Sequence, residues 1–387
     1  MFPPGSLQEM PLRFLRTFAQ SPRQAIELAI TKSKQLFMQP RRKVIKAQDK
    51  RLIQNFSVDT ERLIVFLVPG VDVVNGGTMS ICSLAKVSQL LQSVHNAVVL
   101  IATLPGSQLM SKFTHFENPF DIYRFEQLPS YFLGLKELTI HIPEAFVPQF
   151  VARLSKSEKG YLGNIPKLQI NILNQNVWLM PSREIITQLK QFTDLVTCTT
   201  AHARYCTQQA REYYGIPYHN FSASNLTNYY YLPYKDKEDL MIISHDPHKY
   251  KNKILTRLKR EHPEITISKI EKVPYEDYKH LLERAKWAIT FGEGLDGYFV
   301  ESIRSGAIPF AVYNKDFFTD RFKDLPNVYL SYEEMYNNIS TDIDNLSSPP
   351  LFERLSKQLI DLDKQEYNDE EYRENIRRFY AGDYDLP

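Results

Sequence analysis

The sequence predicts an α/β protein with two doubly wound domains that face each other across a cleft, preceded by a basic N-terminal helical extension. Two observations lead to this prediction. The chain of 387 residues is longer than the roughly 250–300 residues at which one hydrophobic core stops growing, so two cores are expected. Short apolar runs alternate with helical stretches from Leu63 onward, and strands separated by helices form parallel sheets. This alternation stops at residues 228–237 and then restarts, which predicts two domains joined near residue 235.

We divide the chain into four segments on this basis. Residues 1–58 form the extension, 59–232 the first α/β domain, 233–350 the second, and 351–387 a charged tail of one or two helices that packs back on the first domain. Ten short runs are predicted to be buried strands because each is bounded by polar or turn residues: Leu63–Val68, Ala97–Thr103, Leu138–Ile142, Leu168–Leu173, Asp194–Thr199, Leu240–Ser244, Ile265–Ile270, Trp287–Phe291, Ile308–Tyr313 and Val328–Leu330.

The extension is strongly basic. Between Met1 and Gln54 there are eleven basic residues and three acidic ones. Apolar residues recur among them at roughly helical spacing, so one face of a helix would be apolar and the other basic. Such a helix either adsorbs to an anionic membrane surface or packs as a charged helix on its own domain. The first alternative predicts peripheral contact with the inner face of the cell membrane.

The composition indicates a globular protein. Hydrophobic residues make up 43% and charged residues 24%, and the net charge of +2 does not indicate a nucleic-acid binder. The three cysteines form no paired framework and have no zinc spacing, which fits a reducing cytosol. No apolar run reaches the roughly 18 residues needed to span a bilayer. We therefore expect a cytoplasmic protein without a signal peptide or a transmembrane helix.

The most informative segment is Trp287–Phe310. A predicted strand ends at Phe291, a glycine-rich turn carries Glu293, and a helix begins around Tyr298 and carries Glu301. In an open α/β sheet, ligands bind at the carboxyl ends of strands, beside helix N-termini. Glycines in the turn permit close approach of the backbone, and the unpaired N–H groups of the helix suit a diphosphate. The alternative is a strand-to-helix turn with two surface glutamates.

Two glutamates separated by seven residues, followed by Gly306 and Pro309, resemble the E-x7-E signature of retaining GT-B glycosyltransferases similar to family 4. The match is at Glu293, Gly294, Glu301, Gly306 and Pro309. The resemblance implies a GT-B fold of two Rossmann-like domains, with the acceptor on the first and the nucleotide sugar on the second. It also implies that Glu293 contacts the donor sugar, that Glu301 binds the nucleotide ribose, and that the donor-binding surface includes Gly292, Gly294 and Tyr298.

Two further segments fit the same template. Gly76 and Gly77 follow the first predicted strand and open a helix, where the family has a glycine loop between acceptor and donor phosphates; a simple helix N-cap is the alternative. The segment Ser244–Lys253 follows the first strand of the second domain, where the family has an arginine and a lysine that neutralise the leaving diphosphate. Here His245 stands near the place of the arginine, and the lysine is Lys249, Lys251 or Lys253, of which Lys251 aligns best. A cation is needed because the leaving group gains negative charge.

Polar side chains follow two other predicted strands. Residues 174–176 and 199–202 lie at the rim that faces the cleft, and their side chains could bind sugar hydroxyls. His202 is our candidate for contact with the substrate near the reacting centre, and His141 lies at another strand end. A single histidine is more often structural, so that alternative stays open for both residues.

Other classes of enzyme have weaker support in the sequence. The Asp-x-Asp pairs at 342–344 and 361–363 do not follow buried strands, so no metal site is expected, and there is no G-x-S-x-G elbow of a serine hydrolase. We expect no cofactor beyond the nucleotide-sugar substrate. The predicted function is retaining, metal-independent transfer to a glycan or lipid-linked saccharide, in the synthesis of a cell-surface polysaccharide. The alternative is a non-catalytic GT-B subunit that binds sugar or protein and stabilises a partner glycosyltransferase.

Overall fold

The computed structural model describes residues 42–223, 228–271 and 273–387. In these ranges helices alternate with the strands of two parallel sheets, so the predicted α/β class with two doubly wound units is confirmed. Most of the extension, residues 1–41, lies outside the described residues. The membrane interpretation of that segment therefore stays a prediction.

The first sheet has seven parallel strands: β1 (Arg62–Val68), β2 (Val98–Thr103), β3 (Ile122–Arg124), β4 (Glu137–Pro143), β5 (Lys167–Asn174), β6 (Val196–Thr200) and β7 (Tyr218–Asn220). Their order across the sheet is β3-β2-β1-β4-β5-β6-β7. We did not predict β3 and β7, because three-residue strands with sequences such as Tyr-His-Asn carry no apolar run. Both lie at the edges of the sheet and depend on their neighbours for pairing.

The second sheet has five parallel strands: β8 (Glu238–Ile243), β9 (Thr266–Lys269), β10 (Ala285–Ile289), β11 (Ile308–Val312) and β12 (Val328–Tyr329). Their order is β12-β11-β10-β8-β9. All ten predicted strands are present, and their ends differ from the predicted ones by at most two residues. The register pairs Ile289 of β10 with Ile243 of β8 and with Phe310 of β11, so the carboxyl ends of these strands lie at one edge.

Helices connect the strands and cover both faces of each sheet. They are α1 (42–55), α2 (Gly76–Leu90), α3 (Gln92–His95), α4 (Leu128–Tyr131), α5 (Val147–Arg153), α6 (Lys156–Gly163), α7 (Arg183–Leu189), α8 (Gln208–Tyr214), α9 (Lys251–Glu261), α10 (Tyr275–Arg284), α11 (Gly297–Arg304), α12 (Tyr332–Leu346), α13 (Pro349–Glu366) and α14 (Asp369–Tyr380). The central strands are apolar along almost their whole length because both faces are covered. In β1, Val65 and Leu67 belong to one core, whereas Ile64 and Phe66 belong to the core on the opposite face.

The described end of the extension packs on the first domain. Gln48 of α1 is fully buried and donates hydrogen bonds to the carbonyls of Met110 (2.8 Å) and Ile122 (3.0 Å). Asp49 pairs with Arg124 at 2.9 Å. Residues 42–55 therefore pack on the first domain through Gln48 and Asp49.

The tail forms two helices that separate. α13 contributes Phe352, Leu355 and Leu359 to the core of the second sheet. α14 crosses back and places Tyr372 and Ile376 in the core of the first sheet. Our placement of the whole tail on the first domain is wrong for α13, because its apolar face completes the second core before the chain returns.

Three sequence expectations concern features outside the cleft. All three cysteines are unpaired, with Cys82 and Cys198 buried. Both Asp-x-Asp pairs lie within helices, at 342–344 in α12 and 361–363 in α13. Among the residues that the structure describes, no helix is long and apolar enough to cross a bilayer.

Candidate functional site

One cleft of about 1290 Å³ lies at the carboxyl ends of the central strands of both sheets. Ligands of doubly wound sheets bind where the strand order reverses. The order reverses between β1 and β4 in the first sheet and between β8 and β10 in the second. The segments that follow β1, β8 and β10 all contribute to the cleft wall, as do the starts of α10 and α11.

The first-domain wall contains the start of α2. Asn75 caps this helix: its side chain accepts a hydrogen bond from the backbone N–H of Thr78 (2.9 Å), and the Thr78 hydroxyl accepts one from the N–H of Asn75 (3.3 Å). Gly76 lines the cleft, and a Cβ there would meet no atom within 4 Å. A Cβ on Gly77 would lie 3.0 Å from Oε1 of Gln175. The loop is thus a capped helix start that opens onto the cleft at Gly76.

Glu293 stands on the turn between β10 and α11, at the mouth of the cleft. Its Oε1 accepts a hydrogen bond from Nδ2 of Asn176, which belongs to the first domain, at 3.4 Å. Partial burial and, secondarily, the nearby Asp246 carboxylate raise the pKa of Glu293. A carboxyl group therefore faces the cleft at the point where the two domains approach each other.

The turn around Glu293 requires glycine on both sides. A Cβ on Gly292 would lie 2.9 Å from Oδ2 of Asp246 and 3.0 Å from Oδ2 of Asp296. Gly294 has a φ of +92°, and a Cβ there would overlap the Phe318 ring and approach the Val312 carbonyl at 2.8 Å. Gly292 therefore lets two carboxyl groups converge, and Gly294 lets the turn pack on the second core.

Asp296 is the N-cap of α11. Its Oδ1 accepts a hydrogen bond from the backbone N–H of Phe299 at 3.1 Å, and its Oδ2 accepts one from the Thr290 hydroxyl. Burial is the largest influence on this carboxyl group and raises its pKa to about 7, with smaller contributions from Asp246 and Glu293. Close to neutral pH this group therefore changes between a neutral and a charged cap.

Glu301 lies one helical turn into α11 and is buried, with 8% of its surface exposed. Its Oε1 accepts hydrogen bonds from the hydroxyls of Tyr275 (2.9 Å) and Tyr229 (3.1 Å), which are 3.0 Å apart. Burial raises the pKa of Glu301, and the tyrosine hydrogen bonds oppose that shift. The carboxyl group to which the family resemblance assigns the ribose is therefore buried in the wall of the cleft and held by two tyrosines.

The predicted cationic residues differ in whether they face the cleft. His245 lines the cleft and is exposed. The ammonium of Lys251, at the start of α9, donates to the carbonyls of Ser244 (2.6 Å), Asp246 (3.0 Å) and His245 (3.3 Å), and burial lowers its pKa. Lys249 is exposed, with its ammonium 5.7 Å from the centre of the Tyr250 ring. Of the described residues that line the cleft, none is a lysine or an arginine.

The two candidate histidines lie away from the cleft wall. His141 is fully buried, with Nε2 3.1 Å from the Tyr380 hydroxyl and Nδ1 3.0 Å from the amide of Asn171, so its structural alternative is correct. Burial, with a smaller contribution from the Arg204 charge, lowers the pKa of His202 to about 4. His202 packs against the ring of Tyr205 with centroids 5.6 Å apart.

The structure thus brings six of the predicted residues together in the cleft wall: Gly76, His245, Gly292, Glu293, Tyr298 and Glu301. Five others do not line it: Gly77, His202, Lys249, Lys251 and Gly294. Sequence reasoning missed several residues that do, including Asp246, Asp296, Tyr275 and Trp178. Asp246 could have been found from its position directly after His245. For Trp178 and Tyr275 the sequence carries no such signal, because tertiary folding brings them to the site.

Comparison with known proteins shows the fold. No protein-family model matches the sequence, and no curated protein matches it significantly. The sucrose-phosphate synthase of Thermosynechococcus elongatus superposes with a TM-score of 0.51 at 10% identity, over 83% of this chain and 99% of that one. Anabaena HepE, in complex with UDP and glucose, has a TM-score of 0.47 at 9% identity, over 83% and 100% of the two chains. A candidate UDP-N-acetylglucosamine 2-epimerase of Listeria monocytogenes reaches 0.48 at 10% identity, over 83% and 97%.

Of these three likenesses, only the one to the synthase exceeds a TM-score of 0.5. At this level of identity it establishes a shared fold. Together with the two parallel sheets, it confirms the predicted GT-B architecture of two Rossmann-like domains.

Proposed function

We propose that this protein is a metal-independent, retaining glycosyltransferase, similar to family 4, which transfers a sugar from a nucleoside diphosphate to a glycan or lipid-linked saccharide. One observation carries the proposal: Glu293 and Glu301 line the same cleft, at the points where the strand order of both sheets reverses. The resemblance to family 4 associates this pair with a donor sugar and a ribose. The fold shared with the sucrose-phosphate synthase supports a GT-B glycosyltransferase.

The donor is expected to lie along the second-domain wall. Glu301, buried beside Tyr275 and Tyr229, would accept hydrogen bonds from the ribose hydroxyls, because a carboxylate has acceptor sites beyond the two hydroxyls already bound. Glu293, at the mouth, would contact the transferred sugar. The N-terminus of α11 lies between the two glutamates and has unpaired N–H groups that suit a diphosphate.

The leaving diphosphate needs compensation for its growing negative charge. His245 is the cationic candidate in the second-domain wall of the cleft, and Lys251 would have to exchange carbonyl partners for phosphate oxygens. In the reaction, the bond between the anomeric carbon and the diphosphate oxygen breaks as a bond to the acceptor oxygen forms on the same face. The acceptor proton passes to the departing diphosphate, so no side chain of this chain has to act as a base.

Nucleotide sugars test the proposal directly. The purified chain is incubated with a panel of nucleoside diphosphate sugars, and its thermal unfolding is measured with and without chelator. A true donor at a hundred times its dissociation constant adds about 2.7 kcal/mol to the free energy of unfolding. We expect this stabilisation, and any release of sugar from the donor, to survive the chelator. Stabilisation that requires Mg²⁺ or Mn²⁺ would reject metal independence, and no response to any donor would reject the function.

A second candidate function has its own observation. Lys251 is hydrogen-bonded to three carbonyls, and the described cleft wall contains no lysine or arginine, which favours a non-catalytic subunit that stabilises a partner glycosyltransferase. Hydrolysis or transfer of the donor sugar by the isolated chain distinguishes the two. A subunit of this kind would bind sugar or protein and leave the donor intact.

We also propose that the enzyme works in the synthesis of a cell-surface polysaccharide, at the cytoplasmic face of the membrane. The basic character of residues 1–54 supports this location. In a vesicle sedimentation assay, the full chain should pellet with anionic vesicles at low salt and be released at high salt. A failure to bind anionic vesicles even at low salt would remove the support for a membrane-bound acceptor.

A further inference from the structure

Trp178 is an exposed aromatic side chain in the wall of the cleft. It lies on the short 3-10 turn Val177–Leu179, directly after β5, and 61% of its surface is exposed. The chain has one other tryptophan, Trp287, which is 1% exposed within the second core. A large exposed aromatic ring in a cleft is unusual because its burial elsewhere would be favourable, so its position indicates a binding role.

One hydrogen bond fixes the backbone at Trp178, and one aromatic contact positions its ring. Asn176 caps the turn, because its Oδ1 accepts a hydrogen bond from the backbone N–H of Trp178 at 3.0 Å. The ring of Phe317, from the second domain, meets Trp178 edge to face, with centroids 5.1 Å apart and planes at 86°. These two contacts favour one orientation of the Trp178 ring and leave most of its surface open to the cleft.

The position of Trp178 separates it from the nucleotide end of the cleft. The same Asn176 that caps its turn donates to Glu293 at 3.4 Å. Trp178 therefore lies next to the carboxyl group assigned to the transferred sugar, on the wall formed by the first domain. Glu301 belongs to the opposite wall. A molecule that stacks on Trp178 would approach the transferred sugar from the acceptor side.

The charge of the cleft restricts the chemistry of this molecule. Five carboxyl groups line it, those of Asp246, Glu271, Glu293, Asp296 and Glu301. Among its described lining residues the only cationic candidates are His115 and His245. Beside Trp178, an anionic sugar such as a uronic acid or a phosphorylated sugar would meet the Glu293 carboxyl group, and no lysine or arginine of the described cleft wall would compensate its charge. The donor diphosphate is expected elsewhere in the cleft, at the N-terminus of α11 and His245. A neutral pyranose beside Trp178 would meet no such repulsion. Its apolar C–H face matches an exposed indole ring, and its hydroxyls could bind Asn75 and Asn314, which also line the cleft.

We propose that Trp178 is the stacking platform for a neutral pyranose ring of the acceptor. This inference rests on the proposed glycosyltransferase function and specifies the acceptor side of the same cleft. Stacking orients the ring, and the amides of the cleft wall select among its hydroxyls. Trp178 binds the acceptor and takes no part in bond making or breaking.

Tryptophan fluorescence can test this proposal, because Trp178 is exposed and the only other tryptophan, Trp287, is buried. Cellobiose, lactose, maltose and chitobiose are titrated into the full chain in the millimolar range, with tryptophan emission as the readout. We expect a saturable change and a blue shift with at least one of them, because a sugar covering Trp178 removes water from the ring. Cellobiuronic acid, the charged counterpart of cellobiose, should bind at least about tenfold more weakly. In Trp178→Phe, which keeps only the buried Trp287, the spectral response should disappear.

Activity supplies the second readout. Trp178→Ala should raise the KM for the acceptor about tenfold with kcat and donor KM nearly unchanged, and Trp178→Phe should recover most of the loss. Leu179→Ala, which removes the neighbouring exposed apolar side chain (51% exposed), is the matched control and should behave like the wild type. Thermal unfolding of each variant checks that the fold is intact.

Each outcome separates this inference from the function on which it rests. If a nucleoside diphosphate stabilises the protein but no neutral disaccharide changes Trp178 emission, the platform is rejected and the transferase proposal remains. If a disaccharide binds at Trp178 but no nucleotide binds, the sugar site remains and the transferase proposal is rejected. Equal binding of cellobiose and cellobiuronic acid would overturn the preference for a neutral ring. Burial of Trp178 by a partner protein, without any response to sugars, would overturn the platform.

Discussion

The two glutamates of the cleft have opposite environments. Glu301 is buried and accepts hydrogen bonds from two tyrosine hydroxyls, so its position is fixed before any ligand arrives. Glu293 is exposed on a glycine turn and has one long contact, 3.4 Å, to Asn176 of the other domain. The end of the cleft at Glu301 is therefore preorganised for binding, whereas the end at Glu293 depends on how closely the two domains approach each other.

Substitutions at the two ends should therefore impair different properties: nucleotide binding at Glu301 and turnover at Glu293. Removing a group from the preorganised end should weaken binding, since its interactions already exist in the ground state. Removing a group from the end that assembles across the two domains should slow the chemical step, since its best interactions form as the donor reacts. The following predictions test that separation, from the largest expected effect on activity to the smallest.

The largest effect is expected at the assembled end. Glu293→Gln should lower kcat by about 100-fold or more, because a charged contact to the reacting sugar contributes most in the transition state. The donor KM should change much less. Steady-state kinetics at saturating acceptor measure both quantities, and Glu353→Gln, a change at an exposed glutamate on α13, is the control. A loss confined to KM would place Glu293 in ground-state binding and remove the distinction between the two ends.

At the preorganised end, Glu301→Gln should weaken binding of the nucleoside diphosphate by about tenfold or more, because a hydrogen bond to a charged group contributes about 1.5–3 kcal/mol. Calorimetric titration with the free nucleotide measures this without any turnover. Because burial raises the pKa of Glu301, wild-type affinity should also start to fall, as pH is lowered, above the ordinary range of a glutamate. The Gln variant should lack that step. Unchanged affinity in Glu301→Gln would contradict the ribose assignment.

A smaller effect is expected from the tyrosine that orients Glu301. Tyr275→Phe removes the hydroxyl that donates to Glu301 at 2.9 Å and should weaken nucleotide binding by about fivefold, the equivalent of one ordinary hydrogen bond. The loss should be larger for a ribonucleotide than for its 2′-deoxy counterpart, which a merely structural role would not produce. Tyr231→Phe, on the exposed interdomain stretch, is the control. Equal losses for both nucleotides would show that Tyr275 does not act through Glu301.

The smallest effect on activity is expected at Asp296, where the consequence is instead a pH-dependent stability. Its pKa is raised from 3.8 to about 7 in the folded chain, so the folded state keeps a proton that the unfolded state has lost between these values. Stability should therefore fall as pH rises through this window, with a slope of at most about 1.4 kcal/mol per pH unit. Asp296→Asn preserves an N-cap side chain and should remove that contribution. Denaturant unfolding of both proteins at pH 5 to 8 measures it, and identical slopes would contradict the shift.

Much of the fold followed from local patterns. Ten strands and the interruption near residue 235 were predictable from apolar runs bounded by polar residues, which are typical of strands in a covered sheet. The edge strand β9 is the exception in burial, because none of its four residues is buried. The edge strand β7 was not predictable, because Tyr218–Asn220 gains its strand geometry from pairing with β6. The path of the tail was not predictable either. The apolar faces of α13 and α14 look alike in the sequence, and only the shape of the two cores determines which helix covers which sheet.

The candidate site divides in the same way. The sequence by itself determined the residues that follow strand ends, Glu293 and Glu301 among them, because the carboxyl ends of parallel strands share one edge and a fixed spacing on a strand-turn-helix unit places both in one cleft. Only the tertiary structure decided what surrounds them. The tyrosines that hold Glu301 and the position of Trp178 beside Glu293 depend on packing between chain segments far apart in sequence. Such contacts are set by how domains and helices fit together, and no local pattern of residues specifies that fit.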